Sequence, residues 1–196
     1  MELWISNNIA LLIEILAVIF GVLYTVLMAK NKISCWIFGI IGSLLSVYLF
    51  LVYAKLYAEA LLSVYYVFAG VYGWMVWKKQ EVIEEVYQRK IMTHVKLVSV
   101  GIVLSFLMYF GLVYFFKEAQ KPLIDSFTTI FSFIATYLMA KKWIENWFYW
   151  IVIDGVSVYL YFTRDLNIYA LLMLVYTIIV VYGYFEWKKL KVIKVG

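Results

Sequence analysis

The stretch Glu145-Asn146-Trp147-Phe148-Tyr149-Trp150-Ile151-Val152-Ile153-Asp154 gathers a carboxamide, two indoles and a carboxylate in an otherwise apolar run. Trp147, Trp150 and Asp154 follow i, i+3, i+7 spacing, which places both indoles and the carboxylate on one face of a helix. Two indoles can sandwich a flat aromatic ring, and a cationic ring adds a cation-π attraction of about 0.5 to 2 kcal/mol. Asp154 falls about two turns inside the apolar run, where a carboxylate is costly and marks function. The structural alternatives are an interfacial belt position for Trp147 and a polar clamp between helices for Asp154.

A second stripe lies in the segment from Ser63 to Trp74, where Ser63, Tyr66, Gly70 and Trp74 share a helix face. A hydroxyl and a phenol can bond a sugar, and glycine admits either a ligand or a neighbouring helix. Glu14, Glu59 and Asp125 stand nearer the ends of their apolar runs and read as mouth residues.

Helices must position these groups, and composition says in what solvent. Of 196 residues, 66% are hydrophobic and 15% charged, and the mean hydropathy is +0.92; a soluble domain carries about 25% charge. Splitting the chain at its polar clusters gives seven spans near the length that crosses a bilayer: 9–29, 34–52, 58–77, 95–116, 123–140, 146–162 and 168–187. The first follows no basic segment and is too long for a signal-peptide core, so it persists as a helix. The polar stretch 78–96 is too short for a domain and reads as a connector or interfacial helix.

One cysteine, Cys35, and one histidine, His94, leave no internal disulfide and too few ligands for a His/Cys metal site. No phosphate loop, nucleophile elbow or metal-ligand pair is present, so no cofactor, metal or enzymatic activity is expected, and a nucleotide-driven pump has no machinery here. Lys55, Lys117, Lys121 and Arg164 fall on one side of the spans, and the rest of the 17 basic residues fall on the other. Cytoplasmic loops carry such an excess, which predicts a cytoplasmic C-terminus and accounts for the net charge of +5 without nucleic acid. Trp36, Trp74, Trp77, Trp143, Trp147 and Trp187 cluster at the same ends, as an aromatic belt would.

The chain also repeats itself. A shift of 111 places sets Glu14 on Asp125, Thr25 on Thr136, Leu27-Met28-Ala29-Lys30 on Leu138-Met139-Ala140-Lys141, Trp36 on Trp147 and Ser46-Val47-Tyr48-Leu49 on Ser157-Val158-Tyr159-Leu160. With one deletion, Tyr66, Tyr72-Gly73, Trp77 and Lys78-Lys79 fall on Tyr176, Tyr182-Gly183, Trp187 and Lys188-Lys189. The expected fold is therefore an all-α membrane protein of seven transmembrane helices in a parallel 3+1+3 internal repeat. It forms a single transport domain, with repeat one at 9–79, a linker helix at 95–116 and repeat two at 122–189. Parallel repeats are a transporter plan, with substrate bound between the halves.

Three segments carry a family resemblance: Glu-Asn-Trp-x-x-Trp at 145–150, Tyr-Tyr... Tyr-Gly-Trp-x-x-Trp at 65–77, and Leu-Tyr-Ala-Glu at 56–59. Together they resemble the PnuC family, over nearly the whole chain. The resemblance implies a bacterial inner-membrane facilitator of vitamin-like molecules, chiefly nicotinamide riboside, with a fold related to the SWEET carriers. It implies downhill uptake drawn by a cytoplasmic substrate kinase, and homotrimers. Carried over by motif, Asn146, Trp147, Trp150 and Tyr66 are the implied substrate contacts; Tyr176 is the repeat partner of Tyr66. One position departs: many nicotinamide riboside members carry glutamine where Ser63 stands, and similar relatives carry thiamine or deoxynucleosides. A vitamin-binding subunit of an energy-coupling importer is the rival of another class, and the 3+1+3 duplication argues against it.

Overall fold

The computed structural model describes residues 2–54, 57–80, 85–115, 121–163 and 167–195. Among the described residues the chain forms helices α1 (Glu2–Ala29), α2 (Ser34–Tyr48), α3 (Tyr57–Lys78), α4 (Ile91–Phe115), α5 (Pro122–Ala140), α6 (Asn146–Phe162) and α7 (Asn167–Lys188), with two short strands, β1 (Glu85–Arg89) and β2 (Lys191–Val195). Helix α2 continues as a π-helical turn over Leu49–Ala54. Among the described residues six stretches are long and apolar enough to cross a membrane, the exception among the helices being α6. Its 17 residues rise about 25 Å, slightly short of a typical hydrocarbon core. The protein is a multi-pass membrane protein.

The helices agree with the apolar runs, and three expectations are corrected. Helix α1 starts at Glu2, well before residue 9. The connector holds a strand, β1, rather than an interfacial helix, and α4 begins at Ile91, which brings His94 into the helix. The aromatic belt fails for Trp36, Trp77, Trp147 and Trp187, all of which are buried. Each faces a neighbouring helix of its own bundle instead of the lipid interface.

The chain divides into two compact units, 1–83 and 84–196. In the first, α2 packs against both α1 and α3. Trp36 on α2 lies over Gly73 on α3, its ring 2.4 Å from where a glycine Cβ would stand. Its ring also meets Trp77 edge-on at 5.6 Å.

In the second unit α4 packs on α5, α5 on α6 and α6 on α7. Trp147 on α6 covers Gly183 on α7 at 2.5 Å by the same measure and meets Trp187 edge-on at 5.2 Å. The turns before α2 and α6 correspond residue by residue. Asn31 and Lys142, 111 places apart, take φ of 52° and 53°, and their N–H groups donate to Met28 O and Met139 O, each at 2.9 Å. Left-handed backbone is uncommon for residues other than glycine, so its recurrence at matched positions marks one turn built twice.

The second unit carries an addition. β1 pairs in parallel with β2, Glu85 opposite Lys191 through Arg89 opposite Val195. On its other side, Tyr87 N–H donates to Lys142 O at 2.8 Å and Ile144 N–H to Tyr87 O at 2.9 Å. β1 thus lies between the C-terminal strand and the turn that leads into α6.

Candidate functional site

Helix α6 opens without a side-chain cap from Glu145, and Asn146 follows, fully buried. The Asn146 amide donates to Trp143 O at 2.7 Å, while its Oδ1 has no hydrogen-bond partner among the described residues. One turn on, Trp150 rests against the cluster of Phe131, Ala135 and Ile153 between α5 and α6. Its indole N–H is also buried without a partner. Two turns beyond Asn146, Asp154 is buried, and Tyr176 of α7 lies within reach of its charge. Asn146 and Asp154 are about 12 Å apart by helical rise.

A buried polar atom without a partner costs roughly 1–3 kcal/mol, so each asks what it serves. The repeat separates the cases. Trp147 Nε1 is unpartnered, but so is Trp36 Nε1 at the matched position. With both rings pressed onto glycines, that indole belongs to the packing of each bundle. Asn146 Oδ1 and Trp150 Nε1 have no such counterparts, because Cys35 and Gly39 occupy the matched positions and Ser43 stands where Asp154 does. At these positions the second unit therefore holds a carboxamide, an indole and an acid where the first has a thiol, a glycine and a hydroxyl.

The stripe on α3 is more mixed. Gly70 is a packing notch, with Ile40 Cγ1 2.7 Å from where its Cβ would be. Trp74 lies under the ammonium of Lys78 at 4.8 Å. Ser63 is buried, and Tyr66 is half-buried with its ring edge-on to Tyr65 at 5.5 Å. Tyr24 of α1 is within electrostatic reach of Tyr65 and Tyr66. Glu14 and Asp125 are half-buried, and the side chain of Glu59 lies outside the described residues.

Sequence reasoning passed over one cluster. His94 Nδ1 lies 3.1 Å from Tyr149 Oη, and His94 Nε2 lies 3.6 Å from Glu145 Oε1. In the sequence, a single histidine offers too few ligands for a His/Cys metal site and gives no other sign of a role. The polar connector hid that it begins a helix.

The same arrangement of helices is found in a solved protein: the fold matches a crystal structure of the vitamin B3 transporter PnuC with a TM-score of 0.73, at 25% identity, over 96% of this chain and 85% of that one. The chain is 28% identical to the nicotinamide riboside transporter PnuC of Escherichia coli (strain K12), over 89% of this chain and 84% of that protein. It is also 28% identical to the PnuC of Neisseria mucosa, over 89% and 71%. A family model for the nicotinamide mononucleotide transporter matches residues 11–189, and the chain belongs to that family, as the aromatic motifs of α3 and α6 led one to expect.

Proposed function

We propose that this protein carries nicotinamide riboside across a bacterial inner membrane by facilitated diffusion, with the substrate held against α6. The observation that carries the reading is the pair of buried, unpartnered atoms Asn146 Oδ1 and Trp150 Nε1, one acceptor and one donor. A carboxamide is their complement, since its NH2 donates to the asparagine oxygen while its carbonyl accepts from the indole. The attached pyridinium ring is cationic, which suits the Trp150 face and the carboxylate of Asp154. The proposed contacts in the second unit are Asn146, Trp150, Asp154 and Tyr176, with Trp147 setting the position of α6 against α7. In the first unit, Ser63, Tyr66 and Trp74 are the proposed lining.

The matched turns and matched tryptophan–glycine contacts support a SWEET-like 3+1+3 duplication, with α4 as the joining helix. The basic residues support a cytoplasmic C-terminus. Accumulation is drawn by a cytoplasmic substrate kinase, and the assembly is a homotrimer, as the family resemblance implies.

Calorimetry with nicotinamide riboside, nicotinic acid riboside and thiamine tests the substrate. Nicotinamide riboside should bind best, and its carboxylate analogue poorly, because a carboxylate has no proton for Asn146 Oδ1. Stronger binding of thiamine would move the assignment to that vitamin. Proteoliposomes should equilibrate the substrate without concentrating it, and uphill uptake driven by a proton gradient would refute facilitated diffusion.

A further inference from the structure

The first turn of α6 is gripped from outside, and the repeat shows that this grip is specific to the second unit. Glu145, at the start of the helix, does not cap it. Its Oε1 instead accepts the backbone N–H of Arg89 on β1 at 2.9 Å and faces His94 Nε2 at 3.6 Å, longer than a hydrogen bond. One turn later, Tyr149 meets His94 Nδ1 at 3.1 Å, and its ring tilts toward the imidazole with centroids 5.9 Å apart. Trp143, just before the helix, presents its ring edge-on to His94 at 6.4 Å and carries the Arg89 guanidinium at 4.5 Å. In the first repeat the matched positions are Ser34 and Phe38. Neither can reproduce the paired contacts of Glu145 and Tyr149.

We propose that His94 is a positioning residue for substrate binding: from α4 it bridges Tyr149 and Glu145 and so fixes the turn that presents Asn146 and Trp150. The inference rests on the assignment of that turn to the substrate. Asn146 and Trp150 lie immediately beside the two bridged residues in sequence, so a rotation of this first turn moves both polar atoms together. The matched turn of the first unit carries Cys35 and Gly39, has no carboxamide or indole to aim, and lacks the bridge. A half-buried imidazole with one ring nitrogen enclosed and without a hydrogen bond is expensive unless it holds something that must not move.

The test uses the full-length protein and nicotinamide riboside, with affinity measured by calorimetry on monodisperse variants. His94→Phe should weaken binding about 5- to 20-fold, in line with loss of one hydrogen bond and one charged contact. His94→Asn, whose amide reaches the place of Nδ1, should recover most of the loss, and Tyr149→Phe should reproduce most of it. In an Asn146→Ala background the effect of His94→Phe should shrink, because one of the two residues through which it acts is gone. Should His94→Phe fail to fold, Tyr149→Phe removes the same bond from the other side and decides in its place. Unchanged affinity in the folded variants, no rescue by asparagine, or an undiminished effect without Asn146 would overturn the positioning role alone. Unchanged affinity in Asn146→Ala would overturn the substrate assignment and this inference with it.

Discussion

The Trp147 ring lies so close to Gly183 that a methyl group there would stand 2.5 Å from it. No real Cβ is accommodated at that distance, and the indole, enclosed by Trp187, has little room to retreat. Gly183→Ala should therefore overpack the second bundle at a cost of about 1–3 kcal/mol. Gly73→Ala should do the same to the first. Gly111, with no neighbour within 4 Å, supplies the control, since its replacement should leave thermal unfolding in detergent unchanged. Equal unfolding temperatures for all three variants would show that the tryptophan–glycine contacts do not hold the bundles.

Trp147 and Trp150 separate by the same logic. Trp150→Ala removes an aromatic face and a buried donor from the proposed contact, so affinity for nicotinamide riboside should fall about 5- to 30-fold with folded yield retained, the equivalent of roughly 1–2 kcal/mol. Trp147→Ala empties a fully buried site, and its main effect should be a loss of folded protein. Calorimetry beside size-exclusion yield distinguishes them. A Trp150→Ala variant with unchanged affinity would remove the indole from the site.

Much of this was legible in the sequence, and the reason is the solvent. In a bilayer every backbone group must be satisfied within its own segment, so an apolar run of the right length is a helix whatever surrounds it. The matched spacing of Lys30 and Lys141, Trp36 and Trp147, and Tyr72-Gly73 and Tyr182-Gly183 is open to view in the sequence. What the sequence does not reveal depends on distant partners. Glu85–Arg89 becomes a strand only by pairing with Lys191–Val195, more than a hundred residues away, and five residues carry too weak a pattern to announce it. The tryptophans were misplaced for a related reason. An indole near a lysine reads as an interfacial anchor until the glycine opposite it is known.

Asp154 admits a clean division of roles. If its carboxylate faces the cationic ring of the substrate, Asp154→Asn should weaken cationic ligands selectively and leave neutral nucleosides little changed. If it only clamps α6 to Tyr176 and α7, the folded yield should drop and every ligand should suffer alike. Titrating one preparation with nicotinamide riboside and with an uncharged analogue gives the comparison. Equal losses for both would end the counter-ion role.

The distribution of basic residues predicts an orientation that a fusion can test. A phosphatase fused after residue 196 should be inactive and a fluorescent protein there should be bright, both reporting cytoplasm. Active phosphatase would invert the topology.

The C-terminal strand supplies the last test. Truncation after Leu190 removes β2 and leaves one edge of β1 unpaired, while the other edge keeps its bonds to Lys142 and Ile144. Val86, fully buried and paired with Val192, loses its cover. The truncated protein should therefore open at the connector, and trypsin should cut after Arg89 or Lys90 several-fold faster than in the intact chain. The exposed Lys191–Glu85 pair, at 2.6 Å, is a different matter. Glu85 holds the lysine above its ordinary range, so on the alkaline side the pair is kept through neutral pH and lost as pH rises through that raised value. Salt screens it, however, and Lys191→Ala should leave trypsin sensitivity nearly unchanged. Rapid cleavage in Lys191→Ala would place the strength of the connector in that one ion pair, and slow cleavage in the truncated chain would show that the turn before α6 holds β1 without the tail.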